Sequence, residues 1–194
     1  MLERSRTAYV LLGMLTIEAN RSGYDIRRAI ESSVGYFWGE SYGQIYPTLK
    51  RLLGEGLITK SGSPGKQRRQ EYSITDAGRA CLREWLALPF QNDPPRNEFL
   101  LKLFFGREAS VDVTIGHIRE LQRRNQQSLD TMLQIQKFAP KFDAGNPHLP
   151  YWLLTLELGI AMTRAALEWG ESALASLTTA GPESSIPASE LTKP

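Results

Sequence analysis

Residues 89–96 read Pro-Phe-Gln-Asn-Asp-Pro-Pro-Arg, and three prolines within eight positions constrain this chain more than any other feature. Proline brings no amide hydrogen to a helix and drives the residue before it towards extended backbone, so helix does not run through this stretch. The chain is therefore expected to fold in parts: a first domain over 1–89, a second over 90–177, and a flexible tail over 178–194. The tail has three prolines, several Ser and Thr and no aromatic residue, a composition too poor in apolar surface to order itself.

Charge divides near the same place. Residues 1–96 hold 14 Lys and Arg against 10 Asp and Glu, whereas 97–194 hold 9 against 11. A positive first half suits a polyanionic partner. With 194 residues, 41% hydrophobic and 23% charged, the chain has the make-up of a globular protein and excludes fibrous or wholly disordered architectures. Its single cysteine, Cys81, excludes an intrachain disulfide and a Cys-rich zinc site, and fits a reducing cytoplasm. Cys81 reads as a small helix residue, His117 as a surface residue and His148 as part of a turn between two prolines. No Gly-rich phosphate loop, nucleophile elbow or local nucleophile–base pair is present, so no cofactor, metal or catalytic residue is expected. The apolar runs at 9–17 and 151–162 are too short to span a bilayer, and Glu18 stands where a signal peptide would carry small residues. Neither export nor membrane insertion is expected.

In the first domain, Tyr9, Leu11, Leu12, Met14 and Leu15 predict a buried helix that ends near the turn signal at 20–23. Ser22 can cap a second helix, closed by Gly35. Ser41 and Gln44 have the Ser-x-x-Gln spacing of a capping box and predict a third helix over 42–54. At about 100° per residue, Ile45, Leu49, Leu52 and Leu53 share one face of it, Gln44, Pro47, Lys50 and Arg51 the opposite one, and Tyr46 the border. Pro47 removes a hydrogen bond to the Gly43 carbonyl and should loosen such a helix. Two short strands follow at 57–60 and 71–74, joined by a long loop; Lys60, Lys66, Arg68 and Arg69 make this ribbon cationic. Thr75 then caps a fourth helix, with Leu82, Trp85 and Leu86 facing inward.

Helix, helix, capped helix and basic ribbon, in that order, make a winged helix-turn-helix. Such a domain lays the polar face of its third helix in the major groove and its ribbon on phosphates or in the minor groove. The expected fold is mainly α: an N-terminal winged helix-turn-helix with a two-stranded wing, plus a C-terminal helical dimerisation domain.

Ser-Gly-Tyr-Asp-Ile at 22–26, Gly-Gln-Ile-Tyr-Pro-Thr-Leu-Lys-Arg-Leu at 43–52, Glu-Gly-Leu-Ile at 55–58, Tyr-Ser-Ile-Thr-Asp-Ala-Gly-Arg at 72–79 and Arg-Asn-Glu-Phe-Leu-Leu-Lys-Leu-Phe-Phe at 96–105 resemble the PadR family of transcriptional regulators. The resemblance implies a homodimeric repressor that binds an inverted-repeat operator in double-stranded DNA and is released by a small aromatic ligand. Carried over residue by residue, it places the DNA-facing surface on Tyr24, on Ser41, Gln44, Tyr46, Pro47 and Lys50, and on the wing with Lys66, Arg68 and Arg69. The wing departs from the frequent Gly-Arg-Pro type and reads Pro-Gly-Lys-Gln-Arg-Arg. Tyr24 and Tyr46 equally suit boundary aromatics, and Ser41 is explained by capping alone.

The second domain predicts a short apolar helix over 97–105, a long amphipathic one over 112–138 and a third over 151–177 that is apolar on nearly every side and must be covered by protein. These helices have more apolar face than one thin layer hides, which predicts a two-fold interface. Trp152 and Trp169 there suit either buried packing or the stacking of a flat ligand. The rival reading is a winged-helix protein-interaction adaptor, since fold alone does not set function. A small enzyme lacks an acid–base pair to support it.

Overall fold

The apolar run at 9–17 becomes the central helix of the first of two compact units, residues 1–93 and 94–194. The computed structural model describes residues 5–39, 42–62, 70–91, 96–142 and 144–179. In the first unit, α1 (Arg6–Ile17) packs against α2 (Gly23–Ser32), α3 (Ile45–Gly54) and α4 (Asp76–Leu86). Leu11, Leu12 and Leu15 of α1, Ile26 and Ile30 of α2, and Ile45, Leu49 and Leu52 of α3 are essentially removed from water. Each such side chain contributes roughly 1.5–3 kcal/mol, so this cluster outweighs any single cap or turn.

Both expected strands form, as β2 (Ile58–Gly62) and β3 (Gln70–Ile74), and a third joins them: β1 (Arg21–Ser22). β3 is central and antiparallel to both neighbours, with Arg21 opposite Tyr72, Ile58 opposite Ile74 and Gly62 opposite Gln70. Asn20, in left-handed backbone at φ 58, turns the chain into β1, and its amide donates to Ser73 Oγ at 3.1 Å. Two residues carry no strand period, which is why β1 is invisible in the sequence.

Ser22 caps α2 as expected, and Asp25 completes a capping box: the Asp25 amide donates to Ser22 Oγ and the Ser22 amide to Asp25 Oδ2, both at 3.2 Å. α2 stops at Ser32 rather than Gly35, which lies in a 3-10 turn over Val34–Tyr36. The Ser32 and Ser33 hydroxyls donate to the Arg28 and Ala29 carbonyls, competing with the amides that would extend the helix.

α3 also starts later than its spacing predicts. Tyr42–Gln44 is a 3-10 turn, and Gln44 stands at the N-cap of α3 without a side-chain cap hydrogen bond; Ser41, and with it the expected capping box, lies outside the described residues. Beginning at Ile45 places Pro47 in the first turn, where an amide hydrogen has no intrahelical acceptor. The expected loosening is thereby avoided.

Thr75 caps α4, its Oγ1 accepting from the Gly78 amide at 3.0 Å and donating to the Gly56 carbonyl at 2.9 Å. At Gly78 the Leu57 carbonyl oxygen would lie 2.1 Å from any Cβ, so only glycine lets this corner close. Leu82 faces inward, but Trp85 is only half-covered and Leu86 is exposed. Trp85 stacks on Tyr9 at 4.5 Å and closes this end of the core, leaving Leu86 outside it.

The second unit holds α5 (Glu98–Phe104), α6 (Val111–Phe142) and α7 (Leu149–Thr179). Asn97 caps α5 through the Leu100 amide. α6 runs past its expected end at 138 because Pro140 falls in its last turn, where a lost hydrogen bond disturbs little that follows. α7 takes in Thr178 and Thr179, whose hydroxyls donate to the carbonyls of Leu174 and Ala175; residues 180–194, expected as a flexible tail, lie outside the described residues. A Cβ at Gly159 would meet Met132, and one at Gly170 would meet Gln122, so α6 and α7 are antiparallel. Leu129, Met132 and Ile160 form the small core between them. No helix among the described residues is long and apolar enough to cross a membrane.

Candidate nucleic-acid interface

α3 separates its residues by physical character. Ile45, Thr48, Leu49 and Leu52 are buried, whereas Gln44, Pro47, Lys50 and Arg51 are all exposed, as the helical period predicts. Gln44, Pro47 and Lys50 succeed one another at three-residue spacing and form one stripe. Arg51 is partly engaged elsewhere: its Nη2 donates to Ser5 Oγ at 2.9 Å, and Glu55 lies 4.0 Å from its Nε. It ties the helix to the start of α1, and Lys50 is left as the outward cation.

Tyr46, on the border of the wheel, is 60% exposed, and its ring rests on Gly23 at the start of α2. That contact brings the first turn of α3 beside the residue preceding Tyr24, itself 55% exposed. The Tyr72 phenol is pushed above the usual tyrosine range, chiefly by burial and further by Tyr46 nearby. Tyr46 therefore touches the start of α2 and lies near Tyr72 of β3.

The ribbon presents Lys60 at its exposed outer side, paired across to Tyr72. Beyond the Gly62–Gln70 pair the chain continues through residues 63–69. Lys66, Arg68 and Arg69 are in that segment and, like Ser41, lie outside the described residues. Two features of the first unit escape the sequence. Asp25 is absorbed by its cap and is not a free acid on the second helix, and Arg6 sits 6.0 Å over the Trp38 ring, a pairing between residues too distant for any local spacing to reveal.

In the second unit, Asn97, Phe99, Leu100, Leu121, Asn125 and Trp169 contribute to a groove of about 520 Å³. Phe99 meets the Trp169 ring edge-on at 5.8 Å. Trp152 lines none of it and stacks on His148 instead, also at 5.8 Å. On α6, Arg123 and Arg124 hold the Glu120 carboxyl at a pKa of about 2 through paired hydrogen bonds. No group of three or more His, Cys, Asp or Glu among the described residues is placed to hold a metal ion.

A helical core carrying a three-stranded ribbon, with a polar stripe along its third helix, defines a winged helix-turn-helix regulator. Residues 11–84 match the profile of the transcriptional regulator PadR-like family, and residues 95–178 match that of the virulence activator alpha C-terminal domain. The negative transcriptional regulator PadR of Bacillus subtilis is 29% identical over 175 residues, which are 86% of this chain and 94% of that protein. A crystal structure of Bacillus subtilis PadR in complex with operator DNA is similar with a TM-score of 0.75 at 27% identity, covering 88% of this chain and 98% of that one. Another, of the same protein with p-coumaric acid, has a TM-score of 0.67 at 28% identity, covering 88% and 97%. Over residues 11–84 the chain is PadR-like, and the relatives it resembles along most of its length are transcriptional regulators.

Proposed function

We propose that this protein is a homodimeric repressor that binds an inverted-repeat operator through its first unit, dimerises through its second and responds to a small aromatic effector in the cytoplasm. The observation that carries the reading is the α3 stripe of Gln44, Pro47 and Lys50, held outward by the burial of Ile45, Leu49 and Leu52 behind it. Gln44 suits bidentate pairing with adenine and Lys50 suits guanine, while Tyr24 and Tyr46 suit the backbone. Ser41 and the wing residues Lys66, Arg68 and Arg69, which lie outside the described residues, belong to the same proposed set of DNA contacts. Support for a DNA ligand also comes from the relative whose structure contains operator DNA.

Dimerisation is supported by α7. Tyr151, Leu154, Leu158, Met162 and Trp169 recur at intervals of three, four and seven, form one exposed stripe, and lie on the side away from buried Ile160. Two half-sites read together gain affinity through effective concentration. The groove with Phe99 and Trp169 suits a flat ring, and a related protein has been crystallised with p-coumaric acid. A ligand that prefers one dimer shape shifts DNA binding by its differential affinity for the two shapes and by nothing else.

The test is selection of genomic fragments by the wild-type protein, followed by affinity measurements on the selected and a random duplex across salt concentrations. A preferred fragment with a steep salt dependence is expected, and Arg68→Ala should lower the slope by roughly one unit on both duplexes. No preferred fragment and a flat salt profile would replace this reading with that of a protein-interaction adaptor.

A further inference from the structure

We infer that Gly23 is a positioning residue: by presenting no side chain at the first turn of α2, it seats the Tyr46 ring and aims the phenol of the recognition helix at the DNA backbone. The inference rests on the DNA-binding reading above and adds to it a residue that touches no DNA itself. Gly23 is the first residue of α2 and is buried there, so the lack of a side chain at this position calls for a reason. Backbone geometry supplies none, because the described residues with positive φ are Asn20, Gly56 and Gly145. Space supplies one. A Cβ at Gly23 would have as its three nearest atoms Cε1, Cζ and Oη of Tyr46, at 2.7, 3.1 and 3.3 Å.

The phenol so placed is available. Tyr46 is 60% exposed, and among the described residues its hydroxyl has no hydrogen-bond partner. One edge of the ring is fixed by Gly23 while the hydroxyl stays wet. A neutral donor held in this way loses little rotamer freedom when it meets a phosphate oxygen. A methyl group at position 23 moves the ring and re-aims the donor without altering a single charge.

The test uses the full chain and a duplex selected from genomic DNA by the wild-type protein. Gly23→Ala and Tyr46→Phe should each weaken binding about 10-fold, with thermal unfolding midpoints close to that of wild type. The double variant should lose no more than either single variant, a coupling that a merely structural role for Gly23 would not produce. Should the alanine variant fold poorly, the wild-type and Tyr46→Phe proteins still carry the test, through the Gly23–Tyr46 contacts and the affinity. In the free protein, nuclear Overhauser contacts between the Gly23 α-protons and the Tyr46 ring are expected. Unchanged affinity in Gly23→Ala, losses that multiply in the double variant, or absent Gly23–Tyr46 contacts would each overturn the inference while leaving DNA binding in place. A wild-type protein that retains no fragment would overturn the DNA-binding reading itself, and this inference with it.

Discussion

The two units of this chain solve the problem of burial differently. The first closes its core: α1 supplies Leu11, Leu12 and Leu15 to a cluster completed by α2, α3, α4 and the sheet. The second buries Leu129, Met132 and Ile160 between α6 and α7 but leaves Leu154, Leu158 and Met162 exposed by 63–65%. On α3 of the first unit the outward stripe is Gln44, Pro47 and Lys50, side chains suited to a charged polymer; on α7 of the second it is apolar and suited to covering by protein. The contrast teaches that an apolar residue on a helix says nothing of its partner until the neighbouring elements have taken their places.

The strongest way to test this contrast is to cut one leucine on each side of it. Leu49→Ala, at a fully buried position, should destabilise the first unit by about 3–4 kcal/mol in chemical denaturation. A loss below 1 kcal/mol would mean that the cluster tolerates a hole and is not the closed core described. Leu158→Asp should leave the helices folded but weaken the proposed dimer by about 2 kcal/mol, seen as monomer at micromolar concentration in sedimentation. An unaltered dimer would remove α7 from the interface.

Gln44→Ala sharpens the polar side of the contrast. It should reduce discrimination at one base position by about 1–2 kcal/mol while leaving affinity for random DNA nearly unchanged. Equal losses on both duplexes would exclude direct readout by Gln44. The smallest effect is expected at Glu120. Arg123 and Arg124 depress its pKa to about 2, so the stability it contributes is present above the ordinary carboxylate value of 4.5 and is lost as pH falls towards 2. Glu120→Gln should therefore have its full effect between pH 5 and pH 8 and none near pH 2; because the group is fully exposed, that effect should be a small lowering of the unfolding midpoint that shrinks further in high salt. A large change near neutral pH would show that this pair matters more to the second unit than a surface contact does.

Much of this was legible in residue order. The two faces of α3 follow from the spacing of Ile45, Leu49 and Leu52, and the caps at Ser22 and Thr75 follow from residue type just ahead of an apolar period. What was not legible follows a pattern. Arg21 and Ser22 pair with Tyr72 and Glu71, some fifty residues away, and a two-residue strand has no period to betray it. Leu86 has the spacing of an inward residue, yet the stack of Trp85 on Tyr9 leaves it outside the core. Trp152 and Trp169 look alike as aromatics on one apolar helix; only Trp169 lines the groove.

Sequence by itself determined that these stretches form helices and which face of α3 is apolar, because capping and amphipathic period act between residues a few positions apart. Tertiary structure alone decided that Tyr46 rests on Gly23, that Gly78 admits the Leu57 carbonyl, and which apolar stripe of α7 goes uncovered. Such contacts join residues far apart in the chain, and their geometry exists only once the helices have docked.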